Sequence, residues 1–100
     1  MILILSTFQN KKEAHQIGNK LLNNKLIACY NLIPVESAYW WEGKIEEANE
    51  VLMLIKTNKS FEEVEKFILK HHSYDVPEIV AIETKNISEK YLKWVKDVTD

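Results

Sequence analysis

The chain has 100 residues with 46% hydrophobic and 28% charged side chains, enough for one modest core and ordinary for a soluble globular protein. Its net charge of −2 gives no field toward nucleic acid or an anionic membrane, and all 13 basic residues are lysine. The missing arginine removes the usual means of bidentate phosphate recognition, and the single cysteine excludes an intrachain disulfide and suits a reducing, cytoplasmic setting.

The opening "MILILSTF" is apolar but short, has no basic start, and runs straight into "QNKKE". It reads as a strand over Ile2–Phe8 rather than a signal peptide or membrane span. Asn10 followed by Glu13 has the spacing of a capping box. Behind it Ala14, Ile17, Gly18, Leu21 and Leu22 recur at helical spacing, predicting a first helix to about Lys25. His15 lies off that stripe and is expected in water.

Residues 26–41 are rich in β-branched, aromatic and apolar types, interrupted by Pro34. Glu42–Gly43 is a tight-turn signal, with Gly43 suited to positive φ. The chain returns as a third strand over Lys44–Thr57. Pairing counted from the turn sets Trp40 near Ile45, Ala38 near Glu47 and Pro34 near Val51. Ser60 and Glu63 form a second capping box, and Phe61, Val64, Phe67 and Ile68 line one face of the second helix. Pro77 opens a fourth strand over Glu78–Thr84. Ser88 then starts a short terminal helix with Tyr91, Leu92, Trp94, Val95 and Val98 expected inward.

The order is α+β: a ferredoxin-like βαββαβ sandwich with a long hairpin between strands two and three, in one domain over residues 1–100. Strand two falls at a sheet edge beside strand three, where Pro34 is tolerated. The sheet is expected to be of mixed direction, with both main helices on one side. A sheet covered on one face should alternate apolar and polar residues, yet "ILIL" (2–5), "VLMLI" (51–55) and "IVAI" (79–82) are apolar on both parities. The terminal helix is too short to cover three strands, so a second copy of the chain is expected to cover the rest. The hairpin outruns the sheet and carries Tyr39, Trp40 and Trp41. Successive strand residues face opposite ways, so the two tryptophans are not expected to share one pocket.

Catalytic signatures are missing: there is no Ser/His/Asp arrangement, phosphate loop or CxxC, and two glycines cannot build a dinucleotide fingerprint. An acylphosphatase on this fold would need an arginine for its phosphate. A nucleic-acid module would need aromatics on the open sheet face and a basic surface, and that face is aliphatic. Neither an enzyme nor nucleic-acid or membrane binding is expected. Cys29, in a mostly apolar strand, reads foremost as a small buried hydrophobe. Tyr74, Asp75 and Glu78 surround the entry to strand four, where they either form the turn or line an intersubunit cleft faced by Lys56.

"YWWEGKIE" (39–46), "LIACYN" (26–31), "LIKT" (54–57), "HSYDVPEI" (72–79) and "YLKWV" (91–95), in this order, resemble the CutA divalent-cation tolerance family over essentially the whole chain. The resemblance implies a ferredoxin-like homotrimer, related in architecture to PII signalling proteins, with a cytoplasmic role in tolerance of copper or other divalent cations. It also implies metal ligands, because some members use a cysteine just before the first-strand threonine and two histidines before the Tyr-x-x-Pro-Glu segment. His71 and His72 match the histidines and are the candidate ligands for a divalent ion, copper foremost. Ser6 stands at the cysteine position, and Ser73 replaces the proline usual before Tyr74. Two other readings compete with a metal-responsive trimer. One is a PII-like sensor of a small anionic ligand, which requires lysines converging on an intersubunit cleft. The other is a structural or adaptor trimer without a ligand.

Overall fold

The computed structural model describes residues 1–100, with elements β1 (Ile2–Phe8), α1 (Lys11–Asn23), β2 (Cys29–Trp41), β3 (Lys44–Thr57), α2 (Phe61–His71), β4 (Val80–Glu83) and α3 (Glu89–Thr99). The four strands form one sheet in the order β2-β3-β1-β4, with β2 at an edge as expected. Every pairing is antiparallel, which corrects the expectation of a mixed sheet. In the βαββαβ order each helix carries the chain back over a neighbour, so strands one and three, though separated by one hairpin, run oppositely. Trp40↔Ile45, Ala38↔Glu47 and Pro34↔Val51 pair as the turn count requires. Glu42 and Gly43 both take positive φ, 49° and 77°, which is the two-residue turn that matches the twist of a hairpin.

Alternation divides the sheet. Ile4, Phe8, Met53 and Ile55 turn toward α1 and α2 and are fully buried with Ile17, Leu21, Val64 and Ile68. With Ala14 and Ile27 these side chains form the core, a cluster of 10 of the 17 buried residues of the chain. On the other parity Leu3, Leu5, Leu52 and Leu54 are only half-buried, and Ile33, Val80 and Ile82 are exposed. Helix α3 packs against β3 and brings Tyr91 near Cys29, leaving the remainder of this face open. Only Val95 and Thr99 of α3 are buried. Tyr91 and Trp94, expected inward, are exposed and pack on each other with ring centroids 5.6 Å apart.

Two boundaries and one cap also differ from the sequence reading. Helix α1 stops at Asn23 because Lys25 takes φ 56°, a left-handed conformation that ends a helix. Its N-cap is half of a capping box: Asn10 accepts from the Glu13 amide at 2.9 Å, but the Glu13 carboxylate turns to the Ser73 amide instead. Strand β4 is confined to Val80–Glu83, since it pairs only with Ile2–Leu5 and Pro77 lies outside it. The outer half of the β2–β3 hairpin has no strand beside it, and the molecule measures 45 × 26 × 22 Å. Its radius of gyration of 14.1 Å exceeds the roughly 13 Å of a compact chain this long, as a projecting arm requires.

Candidate functional site

Helix α2 begins with a complete capping box: Ser60 accepts from the Glu63 amide, and the Glu63 carboxylate accepts from the Ser60 amide at 3.2 Å. The hydroxyl and amide of Ser60 hold the Glu63 carboxyl below its ordinary range. The helix ends on the histidine pair. The His71 ring stacks on Phe67 one turn back, and its Nδ1–H donates to the Phe67 carbonyl at 2.9 Å. That bond leaves Nε2 without a partner and able to coordinate a cation. His72 is the C-cap, in extended conformation, and both its ring nitrogens are engaged. Nε2–H donates to the Thr7 carbonyl at 2.8 Å, and Nδ1 accepts from the Tyr74 amide at 3.0 Å. The ring is also sandwiched by Phe8 and Tyr74, at centroid distances of 4.5 and 4.7 Å. The two histidines thus differ in kind: His71 offers a free lone pair, whereas His72 ties the loop after α2 to the end of β1.

No group of three or more His, Cys, Asp or Glu side chains converges in metal-binding geometry within the chain. Ser6 is wholly buried, and its hydroxyl has no hydrogen-bond partner. It sits in the core face opposite Met53. The donor set of one chain therefore fits an open, weak metal site through one imidazole, not a closed cage.

The loop fixed by His72 builds a second feature. With Ser73 anchored to Glu13 at 3.0 Å, Tyr74 is set so that its hydroxyl donates to Glu50 Oε2 at 2.6 Å. Loss of water contact, then the bond to Glu50, push the Tyr74 phenol far above its ordinary range, so it stays a donor at any physiological pH. Between this loop and the hairpin arm lies a cleft of about 620 Å³, within the size range of small-molecule sites. Tyr39, Trp40, Trp41 and Tyr74 border it, with the carboxylates of Glu50, Asp75 and Glu78. Both tryptophans thus reach one cleft, contrary to the expectation from alternation. The cleft runs along Ser37–Trp41 of the edge strand β2, where successive side chains of both faces reach it.

Of the residues singled out by sequence, Tyr74, Asp75 and Glu78 are brought together here, and His71 and His72 stand outside the cleft. Lys56 does not face it. Lys56 lies across from Cys29 in the β2–β3 register, hydrogen-bonds Asn31, and has its ammonium 4.0 Å from the Cys29 sulfur. Cys29 is half-buried rather than enclosed. His15 is exposed as expected, with its Nδ1 3.0 Å from the Tyr30 hydroxyl, which donates to Asn19 at 2.7 Å. Sequence reading passed over Glu50, hidden in the polar run "EEANE". Its signal was the register: it pairs with Val35, on the parity of Leu52 and Leu54.

A model of the CutA1 divalent ion tolerance proteins matches residues 2–98. The "Divalent-cation tolerance protein CutA" of Pyrococcus horikoshii is 42% identical over 100 residues, covering 99% of this chain and 98% of that protein. The rice "Protein CutA 1, chloroplastic" is 38% identical over 100 residues, and the match spans 98% of this chain but 56% of that longer protein. Among solved structures, one described as the periplasmic divalent cation tolerance protein CutA from Archaeoglobus fulgidus superposes with a TM-score of 0.96 at 39% identity, covering both chains fully. With a family model that spans residues 2–98 and relatives about 40% identical over nearly the whole chain, the chain belongs to the CutA1 divalent ion tolerance protein family.

Proposed function

We propose that this divalent-cation tolerance protein works without catalysis, as a cytoplasmic homotrimer that binds copper in preference to harder divalent ions. The observation that carries the metal reading is the unpartnered Nε2 of His71 beside an Nδ1 already fixed by the Phe67 carbonyl. A backbone bond at one ring nitrogen orients the other, as it does at many histidine metal sites. Imidazole favours copper over magnesium or calcium, by ligand softness and the Irving–Williams order. His72 joins as a second ligand only when its bond to the Tyr74 amide opens, and further ligands come from water or neighbouring copies. The trimer is supported by the apolar residues that one chain leaves uncovered, Ile33, Val80 and Ile82 on the sheet and Ile45 on the arm. The lone Cys29 supports a reducing compartment, and no helix is long and apolar enough to cross a membrane.

Titration calorimetry tests the metal reading. Cu²⁺ should bind more tightly than Mg²⁺ or Ca²⁺, and binding should weaken below about pH 6, because protonated imidazole cannot coordinate. His71→Ala should abolish most of the heat. An unchanged copper affinity in the His71→Ala/His72→Ala double variant would overturn the assignment. The anionic-ligand reading finds less support, because no lysine borders the cleft.

A further inference from the structure

The partners of His72 fix its tautomer. A carbonyl only accepts and an amide only donates, so Nε2 carries the proton given to Thr7 and Nδ1 carries the ring's one lone pair. That lone pair is occupied by the Tyr74 amide, in a bond that turns the chain directly after α2. Two further bonds hold the same loop. The Ser73 amide donates to Glu13 of α1 at 3.0 Å, and the Tyr74 hydroxyl donates to Glu50 at 2.6 Å. Glu50 is the first β3 residue beyond the stretch paired with β1, where the arm leaves the sheet. A continuous set of contacts thus runs from His72 Nδ1 through Tyr74 to the root of the arm.

We propose that the closed loop and coordination by His72 exclude each other, a coupling that rests on the copper reading above. An ion held by the histidine pair then releases Tyr74 from Glu50 at the root of the arm. Coordination needs a lone pair, and the only one His72 has is the one the Tyr74 amide occupies. The other tautomer offers no way round. Nε2 would face the Thr7 carbonyl, acceptor against acceptor, and Nδ1–H would face the Tyr74 amide, donor against donor. Turning the ring is opposed by Phe8 and Tyr74, which flank it at 4.5 and 4.7 Å. With Nδ1 engaged elsewhere the Tyr74 amide loses its acceptor, the turn opens, and the phenol it positions leaves Glu50. The coupling is reciprocal, so a change that loosens the loop strengthens binding of the ion.

Calorimetry and amide hydrogen exchange on the assembled protein, with CuCl₂ as the probe, test this coupling. Saturating copper should speed exchange of the Tyr74 amide several-fold, because its protection ends with the loss of its acceptor. His72→Ala should bind copper several-fold more weakly, through His71 alone, and copper should no longer alter that exchange rate. Tyr74→Phe keeps the amide but removes the bond to Glu50, and should bind copper several-fold more tightly with the assembly mass unchanged. Copper heat with no change at the Tyr74 amide would overturn the coupling while leaving His71 as the ligand. Parent affinity in His72→Ala, or in Tyr74→Phe, would do the same. An absence of copper heat in the parent would overturn the coupling together with the reading on which it rests.

Discussion

The Tyr74 hydroxyl ties the loop after α2 to Glu50 of β3, and this makes its contribution dependent on pH. Its phenol is raised above 10.0 in the folded chain, by burial first and by the bond to Glu50 second. A raised acid is protonated in the folded state and loses its proton more readily once unfolded. The stabilisation is therefore complete below about pH 10 and is lost as pH climbs beyond it toward the folded value. Tyr74→Phe should cost about 1–3 kcal/mol at neutral pH, because a buried Glu50 oxygen loses its donor. Denaturant unfolding between pH 8 and 11 should show a steeper decline for the parent than for the variant; parallel curves would remove Tyr74 as the titrating group. Gly18 sets a steric limit of a different kind. A Cβ there would lie 2.6 Å from a Tyr30 ring held by Asn19. Alanine gains about 1 kcal/mol of helix propensity, but overpacking costs about 1–3 kcal/mol. Gly18→Ala should lower the thermal midpoint by several degrees, and a rise would show that the ring moves aside at little cost. At this scale the sequence was only partly legible. The histidine pair could be matched, but the commitment of both His72 nitrogens depends on Thr7, distant in sequence, and on a loop conformation that no local pattern specifies.

Among elements, the β2–β3 hairpin was the most legible, because turn chemistry at Glu42–Gly43 sets its register residue by residue. The two capping signals were read equally well, but only one closed into a box. Glu13 found a competing donor in Ser73, sixty positions away. Strand β4 was overread for a similar reason: its length is set by the pairing available on β1, not by its own β-forming residues. Helix α3 docks through the face of Val95 and Thr99, and Tyr91 on that face and Trp94 beside it stay partly exposed because a single chain covers only part of the helix. The arm itself calls for a neighbour. Trp40 is 72% exposed and Ile45 62%, more apolar surface than two adjacent pairing partners commonly leave in water. If a second copy covers the arm, Trp40→Ala and Trp41→Ala each remove an anchor worth about 3–5 kcal/mol per interface. Their melting points should fall and become dependent on protein concentration. Glu46, Glu47 and Asn49 should accept alanine without loss. Tryptophan variants that melt like the parent at every concentration would show that the rings are not anchors.

For the whole molecule, the two-sided apolar strands were the clearest message of the sequence, and the fold gives them a physical outlet. One face of the sheet is filled by α1 and α2 around Ile4, Phe8 and Met53. The other carries α3 over one part only, leaving Ile33, Val80 and Ile82 uncovered. Apolar residues alone call for a partner and do not count subunits; the number three comes from the likeness to the CutA family. The central claim is that copies of this chain cover one another. Native mass spectrometry at micromolar concentration tests it most directly. The account predicts one dominant species at three times the chain mass, giving way to smaller species in the Trp40→Ala and Trp41→Ala variants. A stable monomer of the parent chain at that concentration would contradict it.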